Sequence, residues 1–188
     1  MIGPLLRCYD LAYRRLHGLT TPDAEVGRAL RVQVVRHKGR PVRLADGSEI
    51  RRGDPIGIIH LHNERVAQLH DDTGRHAAAL RARRAFVTSL RELVRRLQET
   101  ERYAGVKAFA ATTILHGATA RLGFESRFLS SRTWAQLVAA YQRALLASHH
   151  PLGRRSPTLR RLREARVIWI SRETLLRRYR PEPGSLRA

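Results

Sequence analysis

The sequence predicts an α+β fold, one domain in which a mixed, largely antiparallel sheet carries flanking helices. Three observations lead there. Residues 30–63 alternate strand-like runs with tight-turn signals: KGRP at 38–41, ADGS at 45–48 and RGD at 52–54. Residues 73–102 repeat apolar positions at helical spacing. Strand-like runs at 106–114 and 165–170 are each followed by a short helical pattern. A chain of 188 residues suits one compact domain, placed at 1–180, with 181–188 (PEPGSLRA) as a flexible C-terminal tail.

The elements follow in order. Leu5, Leu6, Tyr9, Ala12, Tyr13 and Leu16 fall on one face of an amphipathic helix over 3–17. Its readings are a helix packed on the domain or, less favoured, an anchor on a membrane surface. LRVQVVRHK (30–38) is a strand, and short strands near 42–44 and 48–51 should pair across the Asp-Gly turn, making the first half an antiparallel meander. PIGIIHLHN (55–63) is a strand opened by Pro55 and expected well inside the sheet, beside 106–114.

The long helix of 73–102 should bury Leu80, Phe86, Val87, Leu90, Leu93, Val94 and Leu97, with Thr73 as its N-cap and Ala104-Gly105 at its end. HGATARLGF (116–124) reads as a short helix closing at Gly123, and ESRFLSS (125–131) as a strand. Thr133-x-x-Gln136 reads as a capping box for a helix whose stripe is Trp134, Leu137, Val138, Tyr141 and Leu145. ARVIWI (165–170) is a strand, and Ser171 caps a last helix through Tyr179.

Composition bounds the function. Hydrophobic residues make up 43% and charged residues 28%, a globular balance. No run is long and apolar enough to span a bilayer, and the N-terminus lacks a signal peptide's order. Cys8 stands alone, so no internal disulfide forms, which fits a cytoplasmic location. The formal net charge is +20, and all of the 36 basic residues except Lys38 and Lys107 are arginine. Two readings stay open: a surface for nucleic acid, anionic lipid head groups or wall polymers, or a compositional bias without a partner.

The most chemically pointed stretch is GDPIGIIHLHNER (53–65). Strand alternation puts Ile56, Ile58, His60 and His62 on one face, and Ile59, Leu61 and Asn63 on the other. Two histidines at i, i+2 project in parallel and could share a metal ion, with His70, His76 or His116 as a third ligand. The favoured reading is a half-buried, hydrogen-bonded His60 and no metal. Gly53 and Asp54 read as a structural turn, because Asp54 lies too far along the strand to orient His60. The nucleophile inventory is poor: no Gly-x-Ser-x-Gly elbow, no Walker loop and no activated cysteine. The basic segment 150–180 holds ten arginines but little aromatic interleaving, so nucleic acid is a weaker candidate partner.

LADGSEIRRGDPIGIIHLHNERV (44–66), the LGF turn at 122–124 and VIWISRETLLRRY (167–179) together resemble the YkoP-like domain of spore-forming and related bacteria, over about residues 5–180. Within that pattern Gly53, Asp54, Ile56, His60, Leu61 and Asn63 match, while His62 departs where asparagine is expected. The resemblance implies a neighbourhood in cell-envelope polysaccharide metabolism, with a polysaccharide deacetylase as a candidate partner. Taken with the cationic surface, that neighbourhood leads to a ligand such as an anionic sugar, a lipid head group or a wall precursor; the resemblance supplies no mechanism. The order of elements is also similar to GNAT acetyltransferases, which hold the coenzyme A pyrophosphate at a helix N-terminus. The matching place, Asp71 to His76, has one glycine, Gly74, and two acids that would repel phosphate.

The resulting expectation is an accessory or ligand-binding protein without a cofactor. His60, His62, Asn63, Gly74, Arg75 and His116 are its ligand-binding candidates. In the sharper version His60 is a catalytic general base on a sugar hydroxyl or amine. Whether the protein is an enzyme stays open. The alternatives are a diverged GNAT-like acyltransferase and an arginine-rich nucleic-acid-binding protein.

Overall fold

The computed structural model describes residues 22–61, 75–148 and 162–180. The N-terminal helical pattern, Cys8, Thr73, the loop 149–161 and the tail 181–188 lie outside the described residues. The strands are β1 (Glu25–Val26), β2 (Leu30–Arg36), β3 (Val42–Arg43), β4 (Glu49–Ile50), β5 (Pro55–Leu61), β6 (Ala108–Thr113), β7 (Glu125–Phe128) and β8 (Arg166–Ser171). The described helices are α1 (Arg75–Glu99), α2 (His116–Ala120), α3 (Arg132–Ser148) and α4 (Arg172–Tyr179). Among the described residues six strands form a sheet in the order β1-β2-β5-β6-β8-β7, in which only β5 and β6 run parallel. The chain thus adopts the expected α+β class, with a mixed, largely antiparallel sheet and β5 inside it.

One face of the sheet packs on α1 and α4. Val26, Leu30, Val32, Ile59, Phe109, Ile168 and Ile170 meet Leu90, Leu93, Val94 and Leu97 of α1, and Leu175 and Tyr179 of α4. Gly57 lets β5 approach this layer: a side chain there would run into the Phe109 ring. Ser89 sits inside the α1 stripe, accepting from the Ala29 amide at 3.1 Å and donating to the Ala85 carbonyl at 2.9 Å. It ties the helix to the β1–β2 turn.

The opposite face is covered in two places. At one end β3 and β4 lie over it, with Leu44 and Ile50 on Ile56, Ala108, Ala110 and Trp169. This corrects the expected meander: β3 and β4 pair with each other across the Asp-Gly turn but leave the sheet, and β2 pairs directly with β5. The reason is burial, since the ribbon's apolar side closes a face that would otherwise stay wet. At the other end lies α3, whose Ala139 and Val138 pack with Ile114, Leu129, Leu162 and Ala165.

Three further expectations are corrected. Leu80 is 54% exposed and is not part of the α1 core stripe. The long helix ends at Glu99, and a separate tight turn, Glu101–Tyr103, continues the chain. In α3 the buried positions are Ala135 and Ala139, while Trp134 and Leu137 are 57% and 58% exposed. Its N-cap is Ser131, whose hydroxyl accepts from the Trp134 amide at 3.2 Å, and not Thr133.

The reason for the rotation of α3 is polar. The Gln142 carboxamide donates to the Thr112 carbonyl at 2.8 Å and accepts from the Ile114 amide at 2.9 Å. These bonds, and the close approach that alanines permit, fix which side meets the sheet. The larger apolar stripe, about 100° away around the helix, is left outside.

Ser171 caps α4 as expected, accepting from the Thr174 amide at 2.9 Å. Its hydroxyl also donates to the Asp46 carboxylate, which accepts a second hydroxyl, Thr174 Oγ1, at 2.8 Å. The ribbon's turn is thereby latched to the start of α4. Burial raises the Asp46 pKa, but donation from Ser171, Ser48 and Thr174 outweighs it and brings the value down to about 2.

Candidate functional site

The parallel ladder between β5 and β6 covers Ile56↔Ala108, Gly57↔Phe109 and Ile58↔Ala110, and stops there. Both strands continue, β5 to Leu61 and β6 to Thr113. The sheet therefore forks at the carboxyl ends of the parallel pair β5–β6. β6 stays paired with β8 through Thr113↔Arg166. On the side that β5 has left, Gln142 supplies the donor and acceptor that a strand would have given to Thr112 and Ile114.

His60 lies on the departing arm. It is directly opposite Arg31 of β2, which is directly opposite Glu25 of β1. Residues opposite each other in adjacent strands share a face, so Glu25, Arg31 and His60 form one row on the ribbon side of the sheet. Arg31 is almost buried and pairs with Glu25 at 3.2 Å. The imidazole is half-buried, and Gln33 and Ile58 form the next row. The floor beside the fork thus changes from apolar under the ribbon to polar at its open end, with a paired Arg31 and Glu25 beside His60.

The remaining candidates fall as follows. His62, Asn63 and Gly74 lie outside the described residues. Arg75 is the first residue of α1, and its side chain is not among those described. His116 opens α2, three residues beyond β6, so it lies toward the same end of the sheet as His60. Burial pulls its imidazole below the usual range, the Arg166 charge adds to this, and Glu164 opposes it. Among the described residues no three potential ligands gather around one point for a metal ion.

Gly53 and Asp54 hold the turn before β5. Gly53 has φ +92°, and its amide donates to the His37 carbonyl at 2.8 Å. The Asp54 carboxylate accepts from the Arg51 amide at 2.7 Å and from Lys107 Nζ at 2.9 Å. The Arg51 amide, then Lys107, hold its carboxyl below the usual range against some desolvation. Trp169 and Tyr179 are core residues, 6% and 8% exposed.

The basic segment divides on inspection. Arg154, Arg155, Arg160 and Arg161 lie outside the described residues. Arg172 uses its guanidinium inside the fold, donating to the Leu97 carbonyl at 3.0 Å and the Tyr103 carbonyl at 2.9 Å. Arg166 lies over the Phe128 ring, 4.1 Å from its centre.

Sequence reasoning missed Arg31, Glu25 and Gln142. The first two join His60 only through strand register. Gln142 did leave a signal, as a carboxamide in line with the small residues Ala135 and Ala139.

Residues 2–179 match the YkoP domain. The chain belongs to that family. A YkoP relative from Bacillus subtilis (strain 168), named "Uncharacterized protein YkoP", is 25% identical over 177 residues, covering 92% of this chain and 93% of its own length. No solved structure matches the chain. In this YkoP domain the quoted 44–66 pattern spans the ribbon turn, the Gly53-Asp54 turn and β5, the segments that build the floor beside the fork. The described helices include none long and apolar enough to cross a membrane.

Proposed function

We propose that this YkoP domain binds a small anionic ligand, of the sugar phosphate or wall-precursor type, at the β5–β6 fork, as an accessory or ligand-binding protein of envelope polysaccharide metabolism. One observation carries the reading: the parallel pair among the described strands separates after Ile58↔Ala110, at the point where His60 and Arg31 face the same side. Ligands of open sheets favour the crevice beyond the carboxyl ends of parallel strands. An imidazole there donates or accepts hydrogen bonds to hydroxyls, and a guanidinium matches a phosphate or carboxylate. In the sharper form His60 removes a proton from a sugar hydroxyl or amine; His62 and Asn63, which follow β5 in sequence, and Gly74, Arg75 and His116 complete the candidate set.

The test is a thermal-shift and calorimetric titration with a panel of sugar phosphates and nucleotide sugars. The expected result is a saturable shift that His60→Ala removes without lowering the ligand-free melting temperature by more than a few degrees. No shift with any member of the panel, or a shift that His60→Ala leaves intact, counts against it.

A second reading, a diverged GNAT-like acyltransferase, draws on the same fork and on the order of elements. The single glycine and two acids of 71–76 weigh against it. Absence of coenzyme A binding at millimolar ligand removes it.

A further inference from the structure

Helix α3 carries two apolar stripes, and only one is used by the fold. Ala135, Val138, Ala139 and Leu146 face the sheet. Trp134 and Leu137, one turn apart on another side, are more than half exposed. Phe128, on the edge strand that leads into the helix, is 68% exposed. Three large apolar side chains between residues 128 and 137 therefore face outward.

Along the sequence between Glu125 and Glu164 the charge has one sign. From Ser126 to Arg163 the sequence contains eight arginines and no aspartate or glutamate. Arg121, just before β7, and Arg132, at the start of α3, are exposed. Within α3 the only charges are Arg132 and Arg143. The long helix α1 differs, since there Glu92 and Glu99 neutralise Arg95 and Arg96.

We propose that this corner, from Phe128 to Leu137, docks on an anionic lipid bilayer. Trp134 and Leu137 enter the boundary between head groups and acyl chains, and Arg121 and Arg132 meet the phosphates. An exposed tryptophan beside a leucine, on a helix whose only charged residues are arginines, fits that boundary. A second copy of the chain fits it poorly, because two segments lacking any acid would bring like charges together. Nucleic acid would use the arginines and leave Leu137 without a role. The contact lies on the surface of the membrane and is independent of the fork.

The experiment is co-sedimentation of the full chain with vesicles of equimolar phosphatidylglycerol and phosphatidylcholine, against vesicles of phosphatidylcholine alone, with tryptophan emission recorded. Trp169 is in the core, so the exposed component of the emission belongs to Trp134. The expected result is binding to the anionic vesicles, a blue shift, and quenching by brominated acyl chains. The double variant Trp134→Ser/Leu137→Ser should weaken partitioning by about tenfold or more through lost apolar area, and Arg132→Glu by about fivefold or more. Both sets of positions are exposed, and circular dichroism checks that the fold is kept. The proposal is overturned by absence of binding, by binding without a blue shift, by binding that the double variant leaves unchanged, or by a lipid-free dimer that already shields Trp134 in analytical ultracentrifugation.

Discussion

Replacing Asp46 should unlatch the ribbon from the sheet in a way that pH can read. The carboxylate sits in the β3–β4 turn and accepts from the Ser171 and Thr174 hydroxyls and from the Ser48 amide at 3.0 Å. A fall from 3.8 to about 2 corresponds to about 2.5 kcal/mol in favour of the charged form. The group keeps contact with solvent, which screens it, so about 1–2 kcal/mol is the contribution expected. Asp46→Ala also leaves the Ser171 hydroxyl, 2% exposed, without its acceptor, adding about 1 kcal/mol. The assay is urea unfolding of wild type, Asp46→Asn and Asp46→Ala between neutral pH and pH 2.

The sign follows from linkage. A carboxyl depressed by folding contributes its full stability above the unfolded value of 3.8 and loses it as pH falls toward about 2. The gap between wild type and Asp46→Asn should therefore be constant from neutrality to about pH 4.5, and close below that. Asp54 and Glu92, also held below the usual range, titrate in both proteins and cancel in the difference. A gap that persists unchanged to pH 2, or an Asp46→Ala cost below about 0.5 kcal/mol, would refute the latch.

Other substitutions probe the remaining joints. Gly57→Ala drives a methyl group into the Phe109 ring and should cost about 3 kcal/mol in thermal unfolding, with Phe109→Leu recovering part of the loss in the double variant. Arg172→Ala removes two donors from the carbonyls that end α1 and its following turn. It should cost about 2–3 kcal/mol, and Arg172→Lys should restore less than half, because an ammonium cannot span both acceptors. Gln142→Leu leaves the Thr112 carbonyl and the Ile114 amide without their partner. The expected loss is about 2 kcal/mol, with faster hydrogen exchange at Ile114, whereas Gln136→Leu, on an exposed position, should change neither.

The local grammar of this chain is readable without coordinates. Asp-Gly at 46–47 makes a two-strand ribbon because glycine takes the left-handed backbone, here φ +86°. Ser171 caps α4 because its hydroxyl replaces a missing carbonyl at the helix start. Strand alternation correctly separated Ile56 and Ile58 from Ile59. The site was less legible. His60 stood out as a polar group in an apolar run, but its neighbours Arg31 and Glu25 come from strands that are remote in sequence. His62 and Asn63 lie beyond the described end of β5.

The amino-acid order by itself determined the period of each segment, the turns that separate them and the caps that start and stop them, since these depend on residues within about one helical turn or one strand pair. Tertiary structure alone decided three things. It lifted the β3–β4 ribbon out of the sheet, turned the alanine side of α3 inward at the expense of Trp134 and Leu137, and parted β5 from β6 beside His60. Each outcome sets one long-range contact against another: a ribbon closing an apolar face, or a carboxamide taking the place of a strand. The period of a segment says that it has an apolar side, and only its partners decide whether that side is the one buried.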